Sequence, residues 1–557
     1  MSSNNNVLLI GVWGLPSRWY YTEYIPLIPI KDISKWTKRT SWKYDEENKI
    51  YNYSTTAVIA YTLKSLGYNV TVRLYGLDTL ASPARNREDK NKYISTDKEE
   101  ADQELNKLID EEFFANDPRD YEEVVKRAYR ILDLYARIYF KDFKGEIAEK
   151  ILPGIGMFKL INRNRSVKKY VFVGSPLNTA LALEIDLYNL LRDNQAPDAI
   201  VLDVSHGINF LPIIAVETIS RFTKLCSVLS DKNIPLVIMN SDPVNEHGKS
   251  ARIHIVKTRN IEYSVYEFLE STIHSFDKNE KIYKRLISQP VPPPEPFRDL
   301  ENSLKRVEEY IITARSLVQV AKYGFVLLTL TNLASTGKKP QDIEERIKEI
   351  KNNIDKSLSD RIIVKNGDKI EIVSTYELLF DKIMDKLYVL TILEEMLKEL
   401  GNNPYIEYNG VLFYSLDYLE NFAKRLGLKG AGKKLFMSEI SGVKIRLNAL
   451  MNYLSEENYD VRLDEPIPYD QIYRELEDIY RVDEDQIRER TRKLIEILKD
   501  NSYNSIKNKH ECKINERNFI AHAGLERNSL LVMVRDNKFL IGYRPECKAE
   551  INKIISH

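Results

Sequence analysis

Cysteine is scarce in this chain of 557 residues, which contains three. Cys226, Cys512 and Cys547 are scattered and show no paired spacing. This pattern argues against a disulfide framework and against a zinc ribbon. A reducing compartment fits such cysteine usage, and we expect a cytoplasmic protein.

The chain also has no net charge, because 82 lysine and arginine residues balance 82 aspartate and glutamate residues. A balanced chain has no overall basic field to attract nucleic acid. Any site for RNA must therefore be a local patch.

Long apolar runs are absent as well. The first residues lack the positive region and the long apolar stretch of a signal peptide. The longest apolar tract, Leu317 to Leu333, is interrupted by Gln319 and Lys322, so it predicts a buried helix in place of a membrane span. We expect a soluble protein that does not use a membrane as a partner.

Glycine-rich phosphate motifs are incomplete or missing. No G-x-G-x-x-G follows a predicted strand, so a dinucleotide cofactor is not expected. The segment from Gly427 to Lys434 is close to a Walker phosphate loop, but Lys434 stands where serine or threonine is required. A helical pattern also precedes this segment, which favours a flexible, basic connection between helices that is open to RNA.

The first half of the chain alternates β-rich runs with helical stretches. Its length is too great for one core, and its breaks favour two large regions. Short runs of branched residues separated by helices are typical of a parallel sheet covered on both faces. They predict a Rossmann-like α/β domain over residues 1–288, with a charged, solvent-exposed helical insertion at about 84–149. The predicted strands are Val7 to Val12, Val70 to Leu74, Tyr170 to Val173, Ala199 to Leu202 and Pro235 to Met239.

A proline run from Gln289 to Pro296 is the clearest boundary in the sequence. Such a run can form neither a helix nor a central strand, so it predicts a stiff linker at 289–300. Apolar residues at three- and four-residue spacing then predict a helical region over 301–557, with a β-hairpin across Leu530 to Tyr543. The predicted helices are Glu301 to Leu333, Pro340 to Asn353, Ser374 to Leu400, Ser415 to Leu426, Ser438 to Leu454 and Tyr469 to Leu498.

Three turns after predicted strands carry small polar and aromatic residues. Ligands of open α/β sheets bind outside the carboxyl ends of the strands, and helix N-termini there favour phosphate. Each polar residue could equally be an ordinary helix cap, but together at one sheet edge they predict a nucleotide-like ligand. His206 has no partner cluster that would make it a metal ligand. The candidate binding residues are Trp13, Gly14, Gly174, Ser175, Asn178, Thr179, Ser205, His206, Gly207 and Asn209.

The most informative motif lies near the end of the chain and contains Arg517, Asn518 and His522. A histidine can move a proton near neutral pH, and a guanidinium can neutralise a phosphate that gains charge. RNA supplies its own nucleophile, the 2′-hydroxyl. The motif therefore predicts metal-free RNA cleavage, with Asn518 orienting one or both of its neighbours.

The spacing of this motif limits its geometry. In a regular helix Arg517 and His522 would diverge by about 140°. Either the helix starts within the motif, or a second copy of the chain completes the site. We favour the second copy, because acid-base cleavage works best with two proton-transfer groups and each motif has one histidine. In the alternative structural interpretation, His522 caps a helix or lies in the core and Arg517 makes a surface ion pair.

A Rossmann-like domain, a proline-rich joint and a helical region with the Arg517 to Gly524 segment resemble the CARF and HEPN ancillary ribonucleases of type III CRISPR systems, in the Csx branch. The segment from Asp203 to Phe210 is similar to the CARF turn of these enzymes. The resemblance implies a sensor that binds a cyclic oligoadenylate, often the tetra-adenylate, and an effector that cleaves single-stranded RNA. It further implies a homodimer at least, a higher oligomer in some relatives, no metal, and products with a 2′,3′-cyclic phosphate.

Two other functions remain open at this point. The chain could be a nucleotide-sensing regulator whose helical half binds nucleic acid or protein without cutting it. Alternatively, the CARF turn could itself cleave the cyclic messenger.

Overall fold

The computed structural model describes residues 6–29, 47–83, 95–193, 196–208, 210–273, 281–286, 292–401, 404–456, 464–477, 483–500, 512 and 514–556. The chain divides into two compact units. The first unit consists of Met1–Tyr263, Ser275–Val307 and Arg346–Tyr388. The second unit consists of Ser264–His274, Glu308–Glu345 and Val389–His557.

The strands are β1 (Asn6–Val12), β2 (Thr22–Pro26), β3 (Ile50–Asn52), β4 (Asn69–Leu77), β5 (Glu146–Leu152), β6 (Gly156–Ile161), β7 (Val167–Val173), β8 (Ala199–Asp203), β9 (Ile234–Ser241), β10 (Ser250–Ile261), β11 (Tyr283–Arg285), β12 (Arg361–Asn366), β13 (Lys369–Ser374), β14 (Tyr376–Leu378), β15 (Tyr405–Tyr408), β16 (Val411–Ser415), β17 (Ile467–Pro468), β18 (Leu530–Arg535) and β19 (Lys538–Tyr543).

The helices are α1 (Thr55–Ser65), α2 (Thr96–Lys107), α3 (Tyr121–Tyr139), α4 (Pro176–Asp193), α5 (Leu211–Ser230), α6 (Val265–Ile273), α7 (Glu295–Arg306), α8 (Glu308–Lys322), α9 (Val326–Ser335), α10 (Pro340–Ser359), α11 (Phe380–Gly401), α12 (Leu416–Leu426), α13 (Gly430–Glu456), α14 (Tyr469–Glu475), α15 (Glu484–Asp500), α16 (Glu516–Ala521) and α17 (Lys548–Ser556).

The centre of the first unit is an eight-stranded sheet with the order β3-β2-β10-β9-β8-β1-β4-β5. Strands β9, β8, β1, β4 and β5 run parallel to one another. The central strands are buried on both faces, as their continuous apolar sequence predicts. The predicted Rossmann-like α/β class is therefore confirmed.

The predicted segment at about 84–149 is described from Ser95 onward, and there it is not a solvent-exposed addition, so that prediction was wrong for these residues. Its helices α2 and α3 bury apolar side chains in the core of the first unit, including Leu105, Ile131 and Tyr135. The buried residues recur at helical spacing within a charged sequence, because one face of each helix packs and the other is solvated. The segment then leads into β5, which forms an edge of the main sheet.

The run from Tyr170 to Val173 is a strand, β7, but it lies outside the main sheet. It pairs with β6 and with β13 in a separate four-stranded sheet of order β12-β13-β7-β6. Tyr170 and Phe172 face the buried side together with Ile370 and Ile372. The prediction that this strand extends the parallel sheet was wrong, because its partner β13 lies far along the sequence.

The division of the chain also differs from the predicted boundary at 289–300. Helix α7 begins at Glu295, after Pro294 as its N-cap, and residues up to Val307 stay in the first unit. Residues Arg346–Tyr388 return to that unit through β12, β13 and β14. Residues 287–291, within or beside the proline run, lie outside the described residues.

The second unit is mostly helical and ends in a small antiparallel sheet of order β15-β16-β19-β18-β17. The predicted hairpin is confirmed as β18 and β19, joined by Asp536 and Asn537 with positive φ. Several predicted helices occur at the predicted positions but are interrupted. The stretch from Glu301 to Leu333, for example, forms parts of α7, α8 and α9. Within the described ranges, no helix has both the length and the apolar character needed to cross a membrane.

Cys512 and Cys547 form a disulfide within this second unit. The scattered spacing argued against a disulfide framework, and for these two cysteines that prediction was wrong, whereas Cys226 is free and buried. Sequence spacing could not reveal the pair, because the strands between the two cysteines bring their Cα atoms to 5.1 Å.

Candidate functional sites

A cavity of about 390 Å³ lies at the carboxyl ends of β8 and β9 in the first unit. Among the predicted binding residues, Ser205 and His206 line it. The turn after β1 contributes a cation and aromatic side chains. The lining residues are Arg18, Trp19, Tyr20, Tyr24, Ser205, His206, Asn240, Ser241, Asp242, Pro243 and Val244.

Asp203, the last residue of β8, shapes the turn beside this cavity. Its buried carboxylate accepts hydrogen bonds from the hydroxyls of Thr55 and Thr56, both at 2.6 Å. The other oxygen accepts from the backbone nitrogen and the hydroxyl of Ser205, at 3.0 and 2.6 Å. Ser205 Oγ in turn accepts from the backbone nitrogen of Ser241 at 3.0 Å. This network fixes the β8 turn against the end of β9.

His206 lies flat against Trp19, with 3.7 Å between ring centroids and 13° between planes. Its Nε2 accepts a hydrogen bond from the backbone nitrogen of Thr55 at 3.2 Å. Burial lowers the pKa of His206 to about 4. The ring is therefore neutral near pH 7, and it offers a stacking face to a ligand.

The sequence singled out the wrong tryptophan of the β1 turn. Trp13 is fully buried, and its Nε1 donates to Thr56 Oγ1 at 3.0 Å. It packs edge to face on Trp19, with centroids 4.7 Å apart. Trp19 is the ring that reaches the cavity, and its position in the same short turn was the available signal.

Two of the predicted glycines bring the β1 and β8 turns together. The backbone nitrogen of Gly14 donates to the carbonyl of His206 at 2.8 Å. A Cβ on Gly14 would lie 2.6 Å from the Ile208 side chain, and one on Gly207 would lie 2.5 Å from Pro212. The two turns can approach this closely only with glycine at both positions. Asn209 lies outside the described residues.

The predicted binding residues after β7 do not lie at the cavity with Ser205 and His206. Ser175, Asn178 and Thr179 are buried, and their polar atoms bond within the protein. Asn178 Nδ2 donates to the carbonyl of Tyr376 at 3.0 Å, and Thr179 Oγ1 donates to the carbonyl of Pro153 at 2.5 Å. Ser175 Oγ donates to Glu377, and Gly174 lies beside Arg361. The expectation that they share one sheet edge with Ser205 was wrong, since β7 belongs to the other sheet.

The Arg517 to His522 motif lies in α16 of the second unit. Asn515 caps this helix by accepting the backbone N–H of Asn518 at 3.1 Å. The helix thus begins before Arg517 and not within the motif, and it ends at Ala521, before His522. Arg517 and Asn518 are exposed, and His522 is the C-cap residue.

His522 has a carboxylate partner that sequence analysis missed. Its Nδ1 lies 3.0 Å from Oε1 of Glu439 on α13. This hydrogen bond raises the pKa of His522 above its ordinary value, and the side chain is 40% exposed. Glu439 is remote in sequence and sits in an ordinary helical pattern, so no signal could have marked it.

The rest of α16 holds this pair in place. Phe519 is fully buried, with its ring centroid 5.3 Å from Phe325 and 6.3 Å from Tyr543. The Tyr543 hydroxyl donates to the carbonyl of Gly524 at 2.9 Å. His522 is accordingly not a core residue, and Arg517 forms no salt bridge with any other residue that the structure describes. Of the alternative structural interpretation, the cap position of His522 is found, whereas the core position of His522 and the ion pair of Arg517 are not found among the described residues.

Comparison with known families matches both units. Residues 8–243 match the family model described as CRISPR system endoribonuclease Csx1, CARF domain. Residues 433–545 match the model described as CRISPR system endoribonuclease Csx1, HEPN domain. The chain belongs to the CARF and HEPN family of CRISPR ancillary proteins. The cavity therefore lies in the CARF domain, and His522 with Glu439 lies in the HEPN domain.

A curated relative supports this assignment over a shorter stretch. The chain is 29% identical over 142 residues to the CRISPR system endoribonuclease Csx1 of Methanocaldococcus jannaschii. The match covers 25% of this chain and spans 28% of the length of that relative.

Proposed function

We propose that this protein is a metal-independent endoribonuclease that a cyclic oligoadenylate activates, and that it cleaves single-stranded RNA in type III CRISPR defence. The observation that carries the proposal is the His522–Glu439 hydrogen bond beside the exposed Arg517 and Asn518. A histidine with a raised pKa, a guanidinium and an amide on one short helix are suited to phosphate chemistry.

The reaction proceeds without an external nucleophile. One histidine accepts the proton of the RNA 2′-hydroxyl, and the 2′-oxygen forms a bond to the adjacent phosphorus. The bond from phosphorus to the 5′-oxygen breaks, and a protonated histidine gives its proton to that leaving oxygen. Arg517 stabilises the charge that builds on the phosphoryl oxygens. The products carry a 2′,3′-cyclic phosphate and a 5′-hydroxyl.

Two protomers provide the two proton-transfer groups. Each motif has one histidine, and a twofold axis that relates two copies of α16 would supply the second. The exposed face of α16 supports this arrangement, since Arg517, Asn518 and Ile520 are all accessible in one chain. We propose a homodimer as the minimal active unit, in the cytoplasm.

The CARF cavity is the proposed activator site. Trp19 and His206 offer stacking surfaces for adenine, and Arg18 offers a cation for a phosphate. A cyclic tetra-adenylate is the proposed activator. It can shift the protein toward the active arrangement only by the difference in its affinity for the two states.

The test is a cleavage assay in EDTA with labelled single-stranded RNA and cyclic oligoadenylates of each ring size, beside the His522→Ala variant. We expect cleavage that depends on one ring size and is lost in the variant. Mass spectrometry of the products should show the cyclic phosphate ends. Equal cleavage by the variant, or none with any activator, would overturn the proposal and favour a non-catalytic sensor that binds nucleic acid.

A further inference from the structure

An exposed tyrosine lies close to the HEPN motif in the second unit. Tyr323 follows α8 and keeps 54% of its surface accessible. Its ring centroid is 5.7 Å from that of Phe325, whose ring is 5.3 Å from that of Phe519 in α16. The two contacts place Tyr323 within about 11 Å of Phe519, the residue between Asn518 and Ile520.

The contacts of helix α13 also place Tyr323 near the HEPN motif. Gly432, in the first turn of α13, packs directly on the backbone of Tyr323 and Gly324. Glu439, which holds His522, lies seven residues further along α13 on the same face, or about 10 Å away. Leu435 lies between them on that face and is 39% exposed. Gly432, which contacts the backbone of Tyr323, and Glu439, which contacts His522, therefore lie on one face of α13.

Gly324 and Gly432 allow the backbone after α8 to pass close to the start of α13. Gly324 has a φ of +80°, and a Cβ on it would lie 2.5 Å from the carbonyl oxygen of Gly432. A Cβ on Gly432 would lie 3.1 Å from the nitrogen of Gly324. The backbones can cross at this distance only without side chains. The position of Tyr323 relative to α13 is thus fixed by the fold and not by a loose loop.

The charges around this ring are positive. Lys322 precedes Tyr323, and Lys433 and Lys434 begin α13; all three are exposed. None of them forms a salt bridge with another residue in the described part of the chain. A basic surface with an accessible ring fits a single-stranded nucleic acid, whose bases stack on aromatic rings and whose phosphates pair with lysine. An identical basic surface of a second copy would be repelled.

We propose that Tyr323 is a base-stacking platform for the RNA substrate, and that Lys322, Lys433 and Lys434 bind the phosphates on either side. This inference rests on the ribonuclease function proposed above. Leu435 covers the apolar edge of the stacked base next to the His522–Glu439 pair. The ring therefore holds one nucleotide of the substrate without selecting its base.

The test compares Tyr323→Ala with Tyr323→Phe, which keeps the ring, and with Ile312→Ala, which removes another exposed apolar side chain of the same unit. RNA affinity is measured by fluorescence anisotropy in the His522→Ala background. KM and kcat are then measured with active protein and saturating activator. We expect Tyr323→Ala to weaken binding about 5- to 100-fold and to raise KM, with kcat little changed. The other two variants should match the wild type.

Each outcome has a separate meaning. Unchanged affinity and KM in Tyr323→Ala, with wild-type protein that cleaves RNA, would overturn the stacking role and leave the ribonuclease function intact. Absence of cleavage by the wild type would instead reject the function. A Tyr323→Ala protein that becomes monomeric in light scattering would assign the ring to contact with a second copy, which also overturns the inference. A gradual loss of affinity in Lys433→Gln and Lys434→Gln, with a smaller salt dependence, would support the phosphate contacts.

Discussion

Glu439 Oε1 and His522 Nδ1 lie 3.0 Å apart, and this contact joins the long helix α13 to the end of the short motif helix α16. The carboxylate fixes the orientation of the imidazole and leaves Nε2 as the atom available to RNA. Glu439 is thus a positioning residue for the proposed reaction.

Removal of this carboxylate should move the pH optimum of RNA cleavage. Glu439 raises the pKa of His522, so the imidazolium persists to higher pH with it than without it. In Glu439→Gln we expect both limbs of the pH–rate profile to shift toward lower pH, and kcat at pH 8 to fall about 10- to 100-fold. The measurement is kcat between pH 5 and 9 at saturating activator. Glu489→Gln, an exposed carboxylate of α15, is the control, and an unshifted Glu439→Gln profile would contradict the role.

Substitution of Trp19 should weaken activator binding without damage to the HEPN site. The ring stacks on His206 and lines the CARF cavity. Loss of one stacking surface in Trp19→Ala should raise the Kd for cyclic tetra-adenylate about 5- to 100-fold, as measured by calorimetry. Excess activator should restore RNA cleavage. Tyr129→Ala, which removes an exposed ring elsewhere, should bind as the wild type does; a Trp19→Ala protein of normal affinity would rule out the cavity as the site.

The disulfide should stabilise the HEPN-containing unit. It closes a loop with a sequence separation of 35 residues, for which loss of the crosslink costs about 2–4 kcal/mol. Cys512→Ser and Cys547→Ser should each lower the urea midpoint of that unit, and the double variant should lower it no further. Reductant should lower the wild-type midpoint and leave the variants unchanged. Wild-type protein that is insensitive to reductant would contradict a formed bond.

The buried Glu184 should make the stability of the first unit depend on pH. Burial raises its pKa to about 7, while Tyr388 donates a hydrogen bond to it and Arg221 lies 3.4 Å away. Because the folded-state pKa lies above the unfolded value of about 4.5, the folded state binds the proton more tightly. The contribution of Glu184 to stability is then fully present below pH 4.5 and is lost, by at most about 3 kcal/mol, as the pH rises to about 7.

Glu184→Gln should flatten this part of the profile. Thermal unfolding between pH 4.5 and 8 tests the prediction, with the surface variant Glu111→Gln as the control. An equal slope in wild type and Glu184→Gln would show that the carboxyl is not the titrating group.

The sequence predictions were correct where the signal comes from residues close together in the sequence, and they failed where it depends on residues far apart. The apolar run of β1 and the turn residues of the β18–β19 hairpin are local signals, and both gave correct elements. The Arg517 to His522 spacing is also local and identified the motif. Partners that come from distant parts of the chain had no such signal. This is why β7 was placed in the wrong sheet, and why Glu439 and the Cys512–Cys547 pair were missed.

The choice between Trp13 and Trp19 shows a further limit. Both belong to one turn after β1, and composition alone makes them equal. The side chain of Trp13 is directed inward because its Nε1 finds Thr56 in the core, whereas Trp19 is directed toward His206. Orientation within a turn depends on tertiary partners, which a pattern of residue types does not contain.

The Cys512–Cys547 bond encloses Arg517, His522 and both strands of the hairpin in one covalent ring. A protease that cuts one peptide bond inside this ring leaves the two fragments joined through sulfur. The nicked unit then stays a single covalent molecule until a reductant separates the pieces. Survival of the HEPN motif after limited proteolysis is thus set by thiol chemistry as much as by the accessibility of the chain.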